Sequence, residues 1–334
     1  MASIKQFIER RDNIASIISF IRNKGSATRM EISSALSLSW ACVSDLTALL
    51  IADGLIEEIR RSDGASSEAK GRQPSYLYLS EQKYFLGIDI NDSGMAITAL
   101  GLNGKKIRSK KWNAEKITCL GELSDSVISK IEEMLNCDGE CLGIGVAMEG
   151  IRGEDGSWGY PIVKGIIPFR PEVVIEDRFK IPVFVRHDPE CMLYAAADDI
   201  YPDCMVLRVD SGIGAAAMKN GRMLDFPLEL GWIMVGERML RHILLKCAKD
   251  GNYTEFAKEL GIAASNVAMI LGINKVFIVG TIIEWFDSVR EVFESSFKNP
   301  LAKPEFEVCM ISDASEGAAR VAMAEYPPLP DSVT

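Results

Sequence analysis

The hydrophobic pattern changes period along this chain, and that change limits the possible folds more than any other feature. Ile14, Ile17, Ile18 and Ile21 recur at i, i+3, i+4 and i+7, one face of a helix that should stop near Lys24-Gly25. From Tyr84 onward, short β-prone runs alternate with helical stretches. FLGIDI, GMAITALGL, a helix near residues 121 to 136, CLGIGVAM, a helix near 171 to 178 and PVFVRHD form one series, and a similar one restarts at CMVLRVDSGIG. Between the two regimes lies RRSDGASSEAKGRQPS, residues 60 to 75, too polar and too rich in Gly, Ser and Arg to pack a core. The expectation is a small helical unit followed by a larger α/β body, whose two related halves each open with a strand hairpin and flank a cleft.

The helical unit has the spacing of a helix-turn-helix. A second helix is expected from about Arg29 to Leu36 and a third from about Trp40 to Asp53, joined by Ser37-Leu38-Ser39. LIEEIRR and SYLYLS flank the polar run and predict a hairpin wing. Such a unit reads DNA with its third helix in the major groove. Trp40, Ser44 and Thr47 are expected to face the groove, with Val43, Leu46, Leu49 and Leu50 on the packed side. The third helix is nearly uncharged, so phosphate contacts fall to Lys24, Arg29, Arg60, Arg61, Lys70 and Arg72. A protein-interaction module of the same shape is the alternative reading.

Charge per segment supports the DNA reading better than the total does. The chain carries a net charge of -10, yet residues 1 to 80 hold ten Lys and Arg against nine Asp and Glu, and the remainder holds 27 against 38. At 334 residues and 48% hydrophobic composition, two or three globular domains are expected. No uncharged apolar stretch approaches the roughly 20 residues of a membrane span, which predicts a cytoplasmic protein with no membrane partner. The eight cysteines include no CxxC or CxC pair, so free and mostly buried thiols are expected rather than disulfides or a zinc knuckle. With only His187 and His242, a His-rich metal site is excluded. The Pro-rich end from Glu325 is expected to fray.

Five blocks, taken in order, give the chain a resemblance to the ROK family of repressors and sugar kinases, specifically its transcriptional regulators. They are GRQPSYLYLS, GIDINDSG, GIGVAMEGI, IPVFVRHDPECMLYAAA, and VDSGIGAAAMKNGRML followed by LELGW. LGIAASNVAMILGINKVFIVG and DASEGAARVAMAEY look like the family's closing segments, so the likeness runs from about residue 12 to about 324. It implies an α/β fold: a winged helix-turn-helix over 1–80, then a two-lobed actin/hexokinase-type, ribonuclease H-like domain. Lobe 1 would span 81–197, with a terminal helix at about 313–325 packing back on it; lobe 2 would span 198–312 and a tail 326–334. The resemblance also implies that Gly71 and Arg72 act at the DNA backbone or minor groove, where a narrow A·T-rich groove attracts an inserted Arg. The implied partners are an A·T-rich, pseudo-palindromic double-stranded operator and a second copy of the chain, as homodimer or dimer of dimers.

The same resemblance implies a sugar kinase framework whose nucleotide segments have changed. The family's DxGGT phosphate turn reads Asp89 followed by Asn91, Asp92 and Ser93, and Asp92 places a carboxylate where a triphosphate would lie. In DSGIG, Gly212 and Gly214 remain while Asp210 replaces the leading glycine, and the late adenosine turn keeps only Gly280. No ATP is expected to bind. Asp188 stands at the position of the family's catalytic base, preceded by His187 in place of Asn, and a carboxylate there can also accept hydrogen bonds from sugar hydroxyls. Glu229 matches the glutamate of the family's ExGH segment, and Trp232 stands where its His would be. Gly150 corresponds to a turn that approaches the sugar, with Glu149 in place of proline, and Tyr160 and Lys164 are candidates to replace a lost Asn. The family's zinc knuckle is missing, so no zinc is expected. These readings imply a non-enzymatic repressor of carbohydrate-related genes with a sugar or sugar-derivative effector between the lobes. A ROK-type ATP-dependent sugar kinase, and a ligand-independent DNA-binding protein whose second domain only dimerises, are the alternatives.

Overall fold

The structure, a computed structural model, describes residues 4–60, 75–135, 139–150, 152–197, 201–210, 212–224, 226, 228–298 and 303–326. Three helices open it: α1 (Ile4–Lys24), α2 (Arg29–Leu36) and α3 (Trp40–Ala52), followed by the antiparallel pair β1 (Ile56–Arg60) and β2 (Ser75–Leu79). Local chemistry sets the helix starts. The Thr28 hydroxyl accepts from the Glu31 amide while the Glu31 carboxylate accepts from the Thr28 amide, a capping box that satisfies two otherwise orphaned donors. Ser37 takes the left-handed conformation that ends α2, and the Ser39 hydroxyl caps α3 by accepting from the Cys42 amide. Ala27 exchanges both backbone hydrogen bonds with Leu77, which ties the α1–α2 connection to the hairpin.

Two five-stranded sheets follow, and they repeat one plan. The first is built from β3 (Lys83–Asn91), β4 (Gly94–Gly101), β5 (Lys106–Asn113), then α4 (Leu120–Leu135), β6 (Glu140–Met148), the separate hairpin β7 (Trp158–Ile162) and β8 (Gly165–Phe169), α5 (Pro171–Phe179), β9 (Val183–His187) and α6 (Asp188–Ala197). Its strand order is β5-β4-β3-β6-β9. The second comprises β10 (Cys204–Val209), β11 (Ile213–Lys219), β12 (Arg222–Met223), a 3-10 turn over Leu230–Trp232, the short pair β13 (Met234–Val235) and β14 (Arg238–Met239), α7 (Leu240–Lys249), α8 (Tyr253–Leu271), β15 (Lys275–Val279), α9 (Ile283–Phe286), α10 (Arg290–Ser295) and β16 (Glu305–Val308). Its order is β12-β11-β10-β15-β16. In each sheet an antiparallel hairpin leads into two parallel neighbours, so the central strands β3 and β10 are buried along nearly their whole length rather than at alternate residues.

The last helix, α11 (Ser315–Glu325), packs back on the first sheet and on α6. Glycines make this contact possible. A Cβ on Gly145 would lie 1.8 Å from the Ala318 carbonyl oxygen, and one on Gly317 would lie 1.7 Å from the Cys191 carbonyl oxygen. Backbone therefore meets backbone, and α6, α11 and the sheet form one rigid layer.

The N-terminal helices do not have a core of their own. Ile14, Ile17, Ile21, Ile32, Val43 and Leu50 belong to one apolar cluster with Phe85, Leu100 and Leu102 of the first sheet and Ala319 and Ala322 of α11. Arg22 Nε also donates to the Leu102 carbonyl at 2.8 Å. The chain end differs from expectation at its first two residues: Glu325 pairs with Arg186 at 2.8 Å and the Tyr326 ring packs edge-on against Phe85 at 5.6 Å. Residues 327–334 lie outside the described residues. The thiols also depart from expectation. Cys191, Cys204 and Cys247 are buried, but Cys42, Cys141 and Cys309 are half-buried and Cys119 is exposed, because the last four sit at element ends or edges.

Candidate functional site

A cavity of about 250 Å³ between the two sheets gathers residues from four separate segments. Gly150 follows β6, His187 ends β9, Asp188 opens α6, Arg208 lies in β10, and Glu229 and Trp232 bracket the 3-10 turn. The five residues expected at the ligand site, Gly150, His187, Asp188, Glu229 and Trp232, thus line one space. Gly150 has φ +92°, and no atom lies within 4 Å of where its Cβ would sit, so the backbone there is open to the cavity.

Asp188 is 3% exposed and its carboxylate is ion-paired with the Arg208 guanidinium, with His187 Nε2 3.3 Å from its other oxygen. The Arg208 Nε reaches Asp210 Oδ2 at 2.7 Å, and Asp210 Oδ1 accepts from the Thr281 amide at 2.7 Å. One guanidinium therefore joins two carboxylates, and through them the β9–α6 junction to the turn after β15. Burial, then the Arg208 charge, lowers the pKa of His187 to about 4, so its imidazole is neutral at physiological pH. The Trp158 ring stacks on it at 6.2 Å. Burial raises the pKa of Glu229, and among the described residues no hydrogen bond or ion pair reaches its carboxylate, which leaves it as an acceptor facing the cavity. Trp232 is half exposed, with the Arg241 guanidinium over its ring at 5.4 Å.

The other side of the cleft is a larger cavity of about 750 Å³. Asp89, Asp92, Glu149, Asp210, Glu284 and Asp313 line it, and Arg208 is the basic group among the lining residues. The residues at the expected phosphate turns have structural partners instead. Asp89 Oδ2 accepts from the Ala314 amide at 2.9 Å just before α11, and burial raises its pKa. Asn91 accepts from the Ser93 amide at 2.9 Å, closing the Asp92-Ser93 turn of the β3–β4 hairpin. Gly212 and Gly214 both line the smaller cavity, and Gly214 sits in β11 where a Cβ would lie 2.7 Å from Pro189. Gly280 sits where a Cβ would lie 2.5 Å from the Val209 carbonyl oxygen and 2.7 Å from Asp210 Oδ1. Both glycines are required by packing. Tyr160 and Lys164 do not line the smaller cavity: they belong to the β7–β8 hairpin, where Tyr160 packs with the first core and Lys164 is exposed in the turn. Among the described residues no group of three or more His, Cys, Asp or Glu is placed to hold a metal ion.

On the N-terminal unit, Trp40 is 58% exposed and Ser44 half-buried, on a face of α3 shared with exposed Asp45 and Ala48. Thr47 is a correction: it is fully buried, donates to the Val43 carbonyl at 2.8 Å and accepts from Arg29 Nε at 2.9 Å, because it sits on the inner face beside Val43 and Leu46. Arg29 is likewise engaged, paired through two nitrogens with Glu58 of β1 at 2.8 and 3.1 Å, and Lys24 pairs with Glu31 at 2.5 Å. These two cations brace the fold rather than stand free for phosphate, whereas Arg60 is exposed at the end of β1. Arg61, Lys70, Gly71 and Arg72 lie outside the described residues.

Three cleft residues escaped the sequence reading as site residues. Arg208 carried a signal: in CMVLRVDSG it stands two positions before Asp210, and the period of a strand puts both on one face. Trp158 and Thr281 carried none, since they reach the site only through the β7–β8 hairpin and the turn after β15. Among the described residues no helix is long and apolar enough to cross a membrane.

No protein-family model matches the chain. In sequence it is 24% identical over 234 residues, 63% of this chain and 53% of the relative, to the DNA-binding transcriptional dual regulator NagC of Escherichia coli strain K12. The N-acetylglucosamine repressor of Shigella flexneri matches to the same extent, so the chain spans about half the length of the curated relatives it matches. In structure it is similar to a ROK-family transcriptional regulator, a homologue of the E. coli MLC protein, with a TM-score of 0.77, 17% identity, and coverage of 96% of this chain and 97% of that one. The ROK hexokinase of Thermus thermophilus matches 72% of this chain and 98% of its own, with a TM-score of 0.59 and 16% identity. The chain is thus related in sequence to these repressors and shares the α/β fold of ROK regulators and ROK sugar kinases.

Proposed function

We propose that this relative of the ROK-family repressors is itself a DNA-binding transcriptional regulator, a cytoplasmic repressor whose operator affinity answers to a sugar held in the interlobe cavity. Residues 1–80 read DNA in this proposal and residues 81–326 sense the ligand. The observation that carries it is the convergence of Gly150, His187, Asp188, Glu229 and Trp232 on one cavity, while the neighbouring nucleotide cavity is lined by six carboxylic side chains. A triphosphate would meet like charges there, and Asp210 already occupies the Thr281 amide. Asp188 and Glu229 offer acceptors for hydroxyls, Trp232 offers an aromatic face, and the ligand class is a hexose or N-acetylhexosamine.

Coupling to DNA follows from packing. Asp188 opens α6, α6 meets α11 at Gly317, and α11 shares its core with α1, so closing the lobes on a sugar would shift the DNA-reading helices of the two protomers. A homodimer on a pseudo-palindromic operator supplies the two half-sites. The test is selection of bound duplexes from a random pool, followed by release with a panel of hexoses and N-acetylhexosamines. Enrichment of an A·T-rich inverted repeat and its release by one sugar are expected; no enriched sequence would sink the proposal. Trp40→Ala should weaken binding to the selected duplex by about tenfold, whereas Thr47→Val should lower stability by about 1 kcal/mol, since its hydroxyl faces Arg29 and not solvent.

The kinase reading rests on one observation, the position of Asp188 on the smaller cavity, and a melting shift on adding ATP-Mg would favour it. Against it, Asp188 is already neutralised by Arg208, which leaves no free base for a sugar hydroxyl.

A further inference from the structure

Behind Glu229 and Trp232 lies a second cavity of about 220 Å³ that shares five lining residues with the first: Asp210, Gly212, Ile213, Glu229 and Trp232. Its remaining wall is different in kind. Leu244, Leu245 and Ala248 of α7 and Phe256 of α8 make it apolar, with Arg241 at the edge over the Trp232 ring. Leu244 and Phe256 are buried and belong to the second sheet's core, so the wall is fixed, while Leu245 and Ala248 leave its outer side open. A cavity of about 150 Å³ lined by Leu, Ile and Phe side chains is enough to hold a benzene ring.

We infer that this second cavity is an apolar subsite that receives a hydrophobic substituent, about the size of a phenyl ring, on the sugar bound in the first. The inference rests on the proposed sugar reading of the first cavity and specifies the ligand further: a substituted sugar rather than a free monosaccharide. Two features of the wall commit it to an organic substituent. Ile213, Leu244 and Phe256 offer a water cluster no side-chain hydrogen-bond partner, and the carboxylates of Asp210 and Glu229 outnumber the Arg241 guanidinium, which lies over the Trp232 ring, so a phosphate or carboxylate substituent is disfavoured. The polar part of such a ligand meets Asp188 and Glu229 in the first cavity, and its apolar part passes beside Trp232.

The experiment is isothermal titration of the full chain with matched probes: methyl and phenyl glucopyranosides of both anomers, and N-acetyl- and N-benzoylglucosamine. At least one phenyl-bearing probe is expected to bind about tenfold or more tightly than its small partner, since burying a ring removes substantial apolar area from water. Two variants locate the effect. Ala248→Phe fills the cavity from its exposed side, and Leu245→Glu charges its mouth; both positions are exposed, so folding should be kept. Each should abolish the preference for the phenyl probe and leave the affinity for its small partner unchanged. Equal affinities within every pair, or a preference that survives both variants, would overturn the subsite while leaving the sugar reading standing. Failure of all six probes to bind would overturn both.

Discussion

The two sides of the interlobe cleft hold similar residue types in opposite states. On the smaller side, Arg208 pairs with Asp188, the His187 imidazole is neutral and Glu229 faces the cavity without a partner among the described residues, so a polyhydroxyl ligand would meet acceptors for its hydroxyls. On the larger side, Asp89, Asp92, Glu149 and Glu284 line the cavity, and among the described residues Arg208, already shared by two carboxylates, is its one basic lining residue. In the proposed reading, one cleft and one fold thus offer an environment suited to a sugar beside one hostile to a polyphosphate. The difference lies in side chains at turns, which can change without disturbing the sheets.

The largest expected effect concerns the layer both sides share. Gly317→Ala forces a methyl group into the Cys191 carbonyl, so it should destabilise the chain by about 3 kcal/mol in urea unfolding and release α6 from α11. A near-neutral result would mean that the two helices are not rigidly joined and would break the proposed route from cleft to DNA.

Next comes the state of His187. Its folded pKa of about 4 lies below the ordinary 6.5, so the unfolded chain binds a proton that the native one does not. The associated stability is fully present above about pH 6.5 and falls away as pH drops toward 4, by on the order of 2 to 3 kcal/mol. Urea titrations at pH 7.5, 6 and 5 on the wild type and His187→Gln isolate it; parallel curves would show that the imidazole is not held neutral.

Asp188→Asn keeps the shape and removes the charge that fixes Arg208. Affinity for the effector should fall tenfold to a hundredfold, and calorimetry with the sugar identified by operator release measures it. An unchanged affinity would separate the ligand from this side of the cleft. The smallest effect is on the nucleotide side. Asp210→Ala frees the Thr281 amide, yet Asp92, Glu149 and Glu284 remain, so ATP-Mg should still leave the melting temperature unmoved. A shift in this variant alone would mean that Asp210 by itself closes the site.

Much of this architecture was legible in the residues. The i, i+3, i+4 pattern of Ile14 to Ile21 and the polar run after Arg60 separate helical from α/β regimes, and the helices expected at about Arg29 to Leu36 and about Trp40 to Asp53 match α2 and α3 to within a residue. The five residues expected at the ligand site could be assigned to one cavity in advance because block order matched a known family. Thr47 was misjudged because helical spacing alone leaves the inner and outer faces nearly degenerate at one position, and its hydroxyl turned inward to Arg29. For Arg29 and Lys24 the sequence records the charge but not the Glu58 and Glu31 carboxylates that pair with it.

By itself, the sequence determined where the helical and α/β regimes meet and which main segments become strands and helices, since these depend on local propensity, spacing and residue type. Only the tertiary structure decided that Arg208 bridges Asp188 and Asp210, that Trp158 covers His187, that the α1 core continues into α11, and that an apolar cavity opens behind Trp232. Apart from the Arg208–Asp210 pair, those contacts join residues tens to hundreds of positions apart. Their energies depend on distance and burial, and neither exists until the lobes have packed.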